Sequence, residues 1–403
     1  MKRWMSRGLK AGVFGCVLLL TLPGVLWLEH SRPLELPVPT GPFAVGRLMT
    51  AWADQGQIDP LTRQKRELMV WIWYPAATGP PAEVREKNYL PAPLRTEVQR
   101  ARGTLISSFL TRDLSKIQAH SKQNSDMSPR QLSYPVVVMR AGSSAEVWNY
   151  STLAEDLASH GYVVVGFDAP YRTSVVVFPD GRVIRRMPEN NPELCLGRPD
   201  QEHCADRLLM AWTTDTAFVL DRLKQLNESE ASGKFTGRLD LTRVGVFGHS
   251  FGGAAALQFC SQDSRCKAGI DVDGAPHGSV IQAGIHKPFL FLLSDHSRES
   301  DPDSRQILAD IQSIYDRLPP EGKLRLAIRG ANHFLFSDDG ALLKSHIVLR
   351  MLRLLGILGI DGRRQLAVTT YCVYRFFDTY LKRESVPPLK ISSPLYPEIQ
   401  LVP

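Results

Sequence analysis

Seven short apolar runs recur along the chain, and their pattern restricts its fold more than any other feature. Several of them lack the alternation of apolar and polar residues that marks a strand exposed on one face, so we predict strands buried on both faces. Amphipathic helical stretches lie between them, at residues 149–161, 205–226 and 302–318. Strands that alternate with helices predict an α/β fold, with a mostly parallel central sheet and helices on both faces. The runs begin at Leu68, Pro135, Tyr162, Arg243, Ala268, Pro288 and Lys323.

The first 34 residues have a different character. Four basic residues precede residues 11–28, which carry no charge: Lys2, Arg3, Arg7 and Lys10. A basic flank before an apolar run is typical of a secretory signal or a membrane anchor. We predict that residues 1–34 form an uncleaved anchor, with the rest of the chain facing the periplasm or exterior of the cell envelope. A cleaved signal with secretion is the alternative.

Residues 35–403 are predicted to form one α/β domain. Residues 81–130 interrupt the order of strands and helices with a polar, partly helical insertion, which is either a cap over a pocket or a surface excursion. The stretch from residue 341 to residue 383 indicates two or three helices. Its mixture of apolar and basic residues fits a helix face on the core, or contact with a membrane surface.

Composition excludes one large class of function. The formal net charge is +7, but the four N-terminal basic residues supply four of these charges and leave +3 for the rest. This excess is too small for a nucleic-acid footprint, and the sequence shows neither basic-aromatic interleaving nor zinc-finger spacing. We therefore expect no nucleic-acid partner. The oligomeric state is open at this stage.

The cysteines form two close pairs. Cys195 and Cys204 are nine residues apart, and Cys260 and Cys266 are six apart. Such pairs are typical of local disulfides in an oxidising compartment, which agrees with an N-terminal export signal. A zinc site that includes His203, or four free thiols, are the alternatives.

Residues 243–257, "RVGVFGHSFGGAAAL", indicate a serine nucleophile. The pattern G-x-S-x-G, centred on Ser250, follows a strand and precedes a helix. A serine on such a sharp turn presents its hydroxyl at the helix N-terminus, where backbone N–H groups can receive an oxyanion. The flanking glycines let the strand and the helix approach each other. His249 neighbours the serine and is predicted to point away from it along the turn.

A serine hydroxyl needs a base, and the base needs an orienting acid, in the chain order Ser, Asp or Glu, His. His333 follows a strand and returns to the carboxyl edge of the sheet, whereas His346 lies in a helical pattern, so we predict His333 as the base. Asp273 and Asp295 each end a strand at the same edge, while Asp271 lies inside a strand. Spacing leaves the acid open and slightly favours Asp295.

The oxyanion needs two donors. One is predicted to be the N–H of Phe251, directly after the serine. The other is expected from the loop after the strand at Pro135, where Gly142 and Ser143 are nearest. Gly142 permits a tight backbone at this point.

Six segments, in order, resemble the plasma-type platelet-activating factor acetylhydrolases, which are serine-dependent α/β-hydrolase lipases of the secreted phospholipase A2 group. The similarity spans residues 38–385. The segments are "TGPFAVG" at Thr40, "WYPA" at Trp73, "YPVVV" at Tyr134, "LASHGYVVV" at Leu157, "GHSFGGA" at Gly248 and "IRGANHFLFSD" at Ile328.

The resemblance implies an α/β-hydrolase catalytic domain over residues 35–403. It also implies that the acid lies on the strand after the elbow helix, at Asp273, with Asp295 as the fallback, and that Ser143 and Phe251 are the oxyanion donors. Two features depart from the family. Ala141 stands where a histidine is usual, and the segment "GAPHG" from Gly274 replaces an aromatic segment on the acyl side.

The expected activity is hydrolysis of short or oxidised sn-2 acyl chains of phospholipids through an acyl-enzyme, without a metal or other cofactor. The expected partners are a phospholipid or other small ester as substrate, and a membrane through the N-terminal segment. A general carboxylesterase or polyester hydrolase with the same triad is the alternative. A different class, an inactive envelope-anchored lipid-binding protein, is the second alternative, with Ala141 as the feature in its favour.

Overall fold

The computed structural model describes residues 21, 24–59, 61–78, 88–105, 111–190, 192–195, 198–295, 302–342, 354–355, 359–382 and 393–402. The strands are β1 (Leu34–Glu35), β2 (Ala44–Ile58), β3 (Lys65–Ala76), β4 (Ile117–Gln118), β5 (Lys122–Gln123), β6 (Tyr134–Arg140), β7 (Val163–Asp168), β8 (Val175–Val177), β9 (Val183–Arg185), β10 (Leu239–His249), β11 (Cys266–Val272), β12 (Phe289–Leu293), β13 (Lys323–Ile328) and β14 (Ile399–Leu401). The helices are α1 (Ala92–Leu105), α2 (Ser151–Ser159), α3 (Gln201–Glu228), α4 (Phe251–Gln262), α5 (Val280–Ala283), α6 (Pro302–Asp316), α7 (Asp339–Leu342) and α8 (Gly362–Leu381).

Ten of these strands form one sheet, in the order β14-β13-β12-β11-β10-β6-β7-β3-β2-β5. The neighbours from β13 to β7 are parallel, whereas β2, β3 and β14 introduce antiparallel pairs at the two sides of the sheet. Helices cover both faces. The predicted class is confirmed: the chain has the α/β-hydrolase fold, and each of the seven apolar runs contains or overlaps a strand.

Strand β6 shows why the apolar runs do not alternate with polar residues. All of its residues are buried. Val136 and Val138 pack in the core cluster on one face of the sheet, and Val137 and Met139 pack in the cluster on the other. Because both faces of the sheet are covered, apolar side chains are needed at successive positions and not only at every second one.

Parts of the described residues between 81 and 130 pack onto the main sheet. Leu94 and Val98 of α1 lie in the same core cluster as Val137 and Met139, and β5 extends the main sheet beside β2. The hydroxyl of Tyr89 donates to Asp338 Oδ2 over 2.7 Å. Residues 79–87 and 106–110 lie outside the described residues, so the predicted cap is described only in its flanks.

Most of the predicted anchor, residues 11–28, also lies outside the described residues. Residues 24–30 are helical, and the side chains of Val25, Trp27 and Leu28 are exposed. Within the part of the chain that the structure describes, no helix combines the length and apolar character needed to cross a bilayer. The anchor therefore stays a prediction.

Both cysteine pairs form disulfides. Cys195–Cys204 ties a short 3₁₀ turn to the first turn of α3, and Cys260–Cys266 ties the end of α4 to the start of β11. The second bond joins the helix that follows Ser250 to the next strand of the sheet, because α4 begins directly after Ser250. Within each predicted pair, the two sulfur atoms are thus bonded to each other.

Candidate active site

Ser250 lies on the sharp turn between β10 and α4. Its backbone adopts φ 56° and ψ −128°, a region that non-glycine residues rarely occupy. The turn is held because the Ser250 N–H donates to the Val272 carbonyl over 2.9 Å, and the Ser250 carbonyl accepts from the Gly253 N–H over 2.8 Å. The strained serine is therefore fixed from both sides.

The glycines of the elbow are needed for close backbone approach. A Cβ on Gly252 would clash with the carbonyl of Ala141 and lie 2.7 Å from that of Arg140. A Cβ on Gly248 would clash with the carbonyl of Gly252 and lie 2.8 Å from the Gly253 nitrogen. Since the obstacles are backbone atoms, they cannot rotate away as a flexible side chain can.

His333 and Asp273 are in direct contact. His333 Nδ1 lies 2.8 Å from Asp273 Oδ2, and Asp273 Oδ1 accepts from the Ser294 N–H over 2.7 Å. An ionised carboxylate only accepts, so Nδ1 of His333 carries the proton and Nε2 is left with a lone pair. The His333 side chain is 36% exposed and that of Asp273 1%. The acid is thus buried, while the base can reach a bound molecule.

The turn that carries His333 is built locally. A 3₁₀ turn, His333–Phe336, begins just after β13, and the side chain of Asn332 caps it by accepting from the Phe334 N–H. Gln365 of α8 accepts from the Asn332 N–H over 2.9 Å and donates to the Asn332 carbonyl over 2.7 Å. The sequence reasoning missed Gln365, because nothing local links it to a histidine 32 residues earlier.

The other candidate acids have different partners. Asp295 Oδ2 accepts from the Gly330 N–H over 2.7 Å, so it bonds the loop just before His333. Asp271 Oδ1 accepts from the Gly274 N–H over 2.9 Å, and burial raises the pKa of this carboxyl to about 8. Of the three aspartates, the one whose carboxylate the structure brings to His333 is Asp273.

The loop after β6 lies against the serine. A Cβ on Gly142 would be 3.3 Å from Ser250 Cβ. Ser143 is the next residue along this loop. Phe251 opens α4, where the N–H groups carry the positive end of the helix dipole. The two predicted donors therefore come from segments that both contact Ser250.

An apolar wall lies beside Phe251. Its ring packs edge-on against Trp212 of α3, with 5.1 Å between ring centroids, and the His277 ring is 5.9 Å away. Leu208 and Leu209 belong to the same buried cluster. Residues 274–278, the segment that departs from the family, thus reach the surroundings of the serine through His277.

His249, which the sequence reasoning treated only as a neighbour of the serine, is buried at the same place. Its ring centroid lies 4.6 Å from that of His333, and burial, with a smaller electrostatic contribution from His333, lowers the pKa of His249 to about 3. His249 is therefore a neutral histidine directly beside the predicted base.

Comparison with known proteins agrees with the resemblance. The sequence matches the family described as "Platelet-activating factor acetylhydrolase, isoform II" over residues 29–176 and 217–386. It is 26% identical over 392 residues to a probable 1-alkyl-2-acetylglycerophosphocholine esterase of Arthroderma benhamiae, covering 90% of this chain and 92% of that protein. It is 25% identical over 327 residues to a platelet-activating factor acetylhydrolase of Cavia porcellus, covering 75% of this chain and 69% of that protein.

A solved structure matches over nearly the whole chain. The ferulic acid esterase from Streptomyces cinnamoneus superposes with a TM-score of 0.74 at 27% sequence identity, covering 92% of this chain and 100% of the esterase. The three proteins named above are each described as an esterase or an acetylhydrolase. They thus share ester hydrolysis as a reaction class.

Proposed function

Because the chain belongs to the family described as platelet-activating factor acetylhydrolase, isoform II, we propose that it is a serine ester hydrolase that removes short or oxidised sn-2 acyl chains from phospholipids. The observation that carries the proposal is the 2.8 Å contact between His333 and Asp273 at the sheet edge where the strained Ser250 lies. The reaction then follows from the chemistry of these three side chains.

In the first half-reaction, Ser250 Oγ attacks the ester carbonyl while His333 Nε2 takes the hydroxyl proton. Asp273 holds the imidazolium that forms, and the N–H groups of Phe251 and Ser143 donate to the oxyanion. When the tetrahedral intermediate collapses, His333 returns the proton to the leaving lysophospholipid oxygen, and the acyl group stays on Ser250.

In the second half-reaction, water attacks the acyl-enzyme. His333 Nε2 takes a proton from the water, and the second tetrahedral intermediate releases the free acid as Ser250 regains its proton. The net reaction consumes one ester and one water and gives one alcohol and one carboxylic acid. Each step uses groups of this chain, so it calls for no cofactor.

The wall beside Phe251 supports an acyl group as the part of the substrate that lies there. Trp212 and Leu209 are buried and pack with Phe251 in one apolar cluster. An apolar wall next to the serine suits the hydrocarbon part of an ester, and the length of chain that it accepts is left to the ester series described below.

An envelope location is part of the same proposal. Two disulfides support an oxidising compartment, and the charge pattern of residues 1–28 supports export with retention in a membrane. Fractionation of the full-length chain tests this: recovery with membranes after an alkaline wash supports the anchor, and recovery in the medium supports a cleaved signal.

The activity is tested with p-nitrophenyl esters from acetyl to palmitoyl, using the full-length chain and Ser250→Ala. We expect rates that fall steeply beyond short acyl chains, and background rates in the variant. Phosphatidylcholines that differ only in an acetyl or palmitoyl sn-2 chain then test the phospholipid. Wild-type rates equal to those of Ser250→Ala on every ester would refute the enzyme and favour the lipid-binding alternative.

A second candidate, a general carboxylesterase, is favoured by the likeness to the ferulic acid esterase over that protein's whole length. A flat rate profile from acetyl to palmitoyl, with faster turnover of ethyl ferulate than of 2-acetyl phosphatidylcholine, would select it. The triad is the same in both candidates, so this comparison concerns only the substrate.

A further inference from the structure

Three hydrogen bonds, together called the relay below, join the loop after β6 to the turn that carries His333 and pass through the residue before the serine. The Gly142 N–H lies 3.3 Å from Tyr150 Oη, and Tyr150 Oη lies 2.7 Å from His249 Nδ1. His249 Nε2 lies 2.9 Å from the carbonyl oxygen of His333. The side chains of Tyr150 and His249 are both buried.

The donors and acceptors in the relay have only one consistent direction. A carbonyl oxygen only accepts, so His249 Nε2 carries the proton and donates to His333. In the neutral ring, Nδ1 then has a lone pair and accepts from the Tyr150 hydroxyl. The hydroxyl oxygen in turn accepts from the Gly142 N–H.

The donor–acceptor direction of these three hydrogen bonds requires a neutral His249 ring. Burial is the main cause that lowers its pKa to about 3, and His333 adds to it, whereas Asp273 and the His333 carbonyl oppose it. A charged ring would place a second proton on Nδ1, where the Tyr150 hydroxyl already donates. It would also stand beside the imidazolium that His333 forms during the reaction.

We propose that His249 and Tyr150 are positioning residues, which hold the oxyanion loop and the His333 turn at fixed places relative to Ser250. The inference rests on the proposed function. The two segments follow different strands, β6 and β13, and the described bonds from Gly142 to Tyr150 and from His249 to His333 make one connection between them.

The packing around Gly142 makes this arrangement compact. A Cβ there would be 3.3 Å from Ser250 Cβ and 3.4 Å from His249 Nδ1. The Phe336 ring closes another side of His249, with 5.7 Å between ring centroids. A shift of the His249 ring would therefore move either the oxyanion loop or the His333 turn.

The effect of losing the relay should fall on kcat. The oxyanion donors and His333 Nε2 act most strongly in the transition state, whereas substrate binding depends mainly on the surrounding surface. A misplacement of about 1 Å in such groups lowers rates by about 100-fold. KM for a short ester should stay within about twofold, because ground-state contacts are kept.

The test uses Tyr150→Phe, His249→Leu and His249→Gln in the full-length chain, with p-nitrophenyl acetate. We expect kcat to fall about 10-fold in Tyr150→Phe and about 100-fold in His249→Leu, as for partial and full loss of oxyanion positioning. A glutamine side-chain amide can still donate to the His333 carbonyl, so His249→Gln should regain part of the loss.

The matched control is Tyr134→Phe. Tyr134, the first residue of β6, is as buried as Tyr150, and its hydroxyl donates to the Ser128 carbonyl over 2.9 Å. This bond is not part of the contacts around Ser250. This substitution removes a comparable buried hydrogen bond without touching the site. The inference is overturned if the folded relay variants keep the wild-type kcat, or lose no more of it than Tyr134→Phe does.

A measurement that needs no activity separates the relay from the proposed function. Nitrogen-15 NMR of the histidine rings in the Ser250→Ala protein should show His249 protonated at Nε2 and unprotonated at Nδ1, with the Nδ1 signal moved by Tyr150→Phe. The opposite tautomer, or a charged ring at neutral pH, would refute the relay. Absence of esterase activity in the wild type, with the expected NMR signals, would refute the function alone.

Discussion

Asp273 uses its two carboxylate oxygens for different partners, and this division decides what an amide would do in its place. Oδ1 accepts from the Ser294 N–H and Oδ2 from the ring of His333. In Asp273→Asn, the amide oxygen keeps the bond to Ser294, so the amide N–H₂ faces His333 Nδ1. The His333 ring must then carry its proton on Nε2, and it cannot accept the serine proton.

We therefore expect Asp273→Asn to lower kcat on p-nitrophenyl acetate by about 10³- to 10⁴-fold, as loss of the correct tautomer does in serine triads. The fold should survive, because the side-chain shape is kept. Steady-state kinetics with a thermal melt measures both.

Asp295→Asn is the matched control for this change. Asp295 also follows a strand, but its Oδ2 accepts from the Gly330 N–H, a bond that an amide oxygen can replace. We expect less than about a 10-fold loss of kcat. A larger loss in Asp295→Asn than in Asp273→Asn would assign the acid to Asp295 instead.

The positions of Asp273 and Asp295 in the chain do not distinguish them as the partner of His333. Asp273 and Asp295 each end a parallel strand, so both are brought to the same edge, and spacing slightly favoured the wrong one for contact with His333. Only the resemblance pointed to Asp273. The side-chain contact depends on the path of the chain after each strand, which local propensity does not encode.

The strand–turn–helix unit from β10 to α4 depends on glycine at Gly252 for steric reasons. Gly252→Ala places a methyl group against the backbone carbonyls of Arg140 and Ala141. We expect a loss of about 1–3 kcal/mol in the free energy of unfolding, as for overpacking in a core, and a larger relative loss of kcat. Denaturant unfolding and p-nitrophenyl acetate kinetics measure the two effects.

Gly56→Ala gives the comparison. A Cβ at Gly56 has a single neighbour within 4 Å, Asp54 Oδ1 at 3.7 Å. We expect the free energy of unfolding to change by less than about 0.5 kcal/mol and kcat to stay at the wild-type value. Equal effects of the two substitutions would show that the close approach at the elbow is not what requires glycine.

Burial raises the pKa of several carboxyl groups across the described core, and three of them have values near or above neutrality. Burial raises the pKa of Asp168 and Asp271 to about 8 and that of Asp338 to about 7. An unfolded aspartate has a pKa of about 3.9. Between these values the folded chain binds more protons than the unfolded chain, so this contribution to stability is full below about pH 4 and is lost as pH rises through 7–8.

His249 acts in the opposite sense at lower pH. Its folded pKa of about 3 lies below the ordinary histidine value, so its contribution is full above about pH 6.5 and is lost as pH falls. Above pH 6.5 the contribution of His249 is constant. Among these four groups, only the three carboxyl groups then change the free energy of unfolding with pH.

We predict that the melting temperature of the wild type falls between pH 6.5 and pH 8.5, and that Asp271→Asn reduces this fall, because an amide cannot ionise. Thermal melts across this range measure the slope. The exposed Asp303→Asn should keep the wild-type slope. Identical slopes in wild type and Asp271→Asn would contradict the prediction, whatever the absolute stability of the variant.

Short-range patterns determined much of this protein. The unalternated apolar runs specified a sheet buried on both faces, because burial fixes residue type position by position. The glycines around Ser250 specified the elbow, because only glycine allows the backbone to approach so closely there. The family membership and the fold followed from these segments in order, and the two disulfides join the cysteines that lie closest in the chain.

Tertiary structure decided the contacts between distant residues. Tyr150 and His249 are 99 positions apart, and Tyr89 and Asp338 are 249 apart, yet both pairs share a buried hydrogen bond. A buried polar group must find a partner, but the sequence does not say which one, because the partner depends on how the elements pack. The aspartate that contacts His333 and the residues that link its turn to the oxyanion loop are therefore properties of the folded chain.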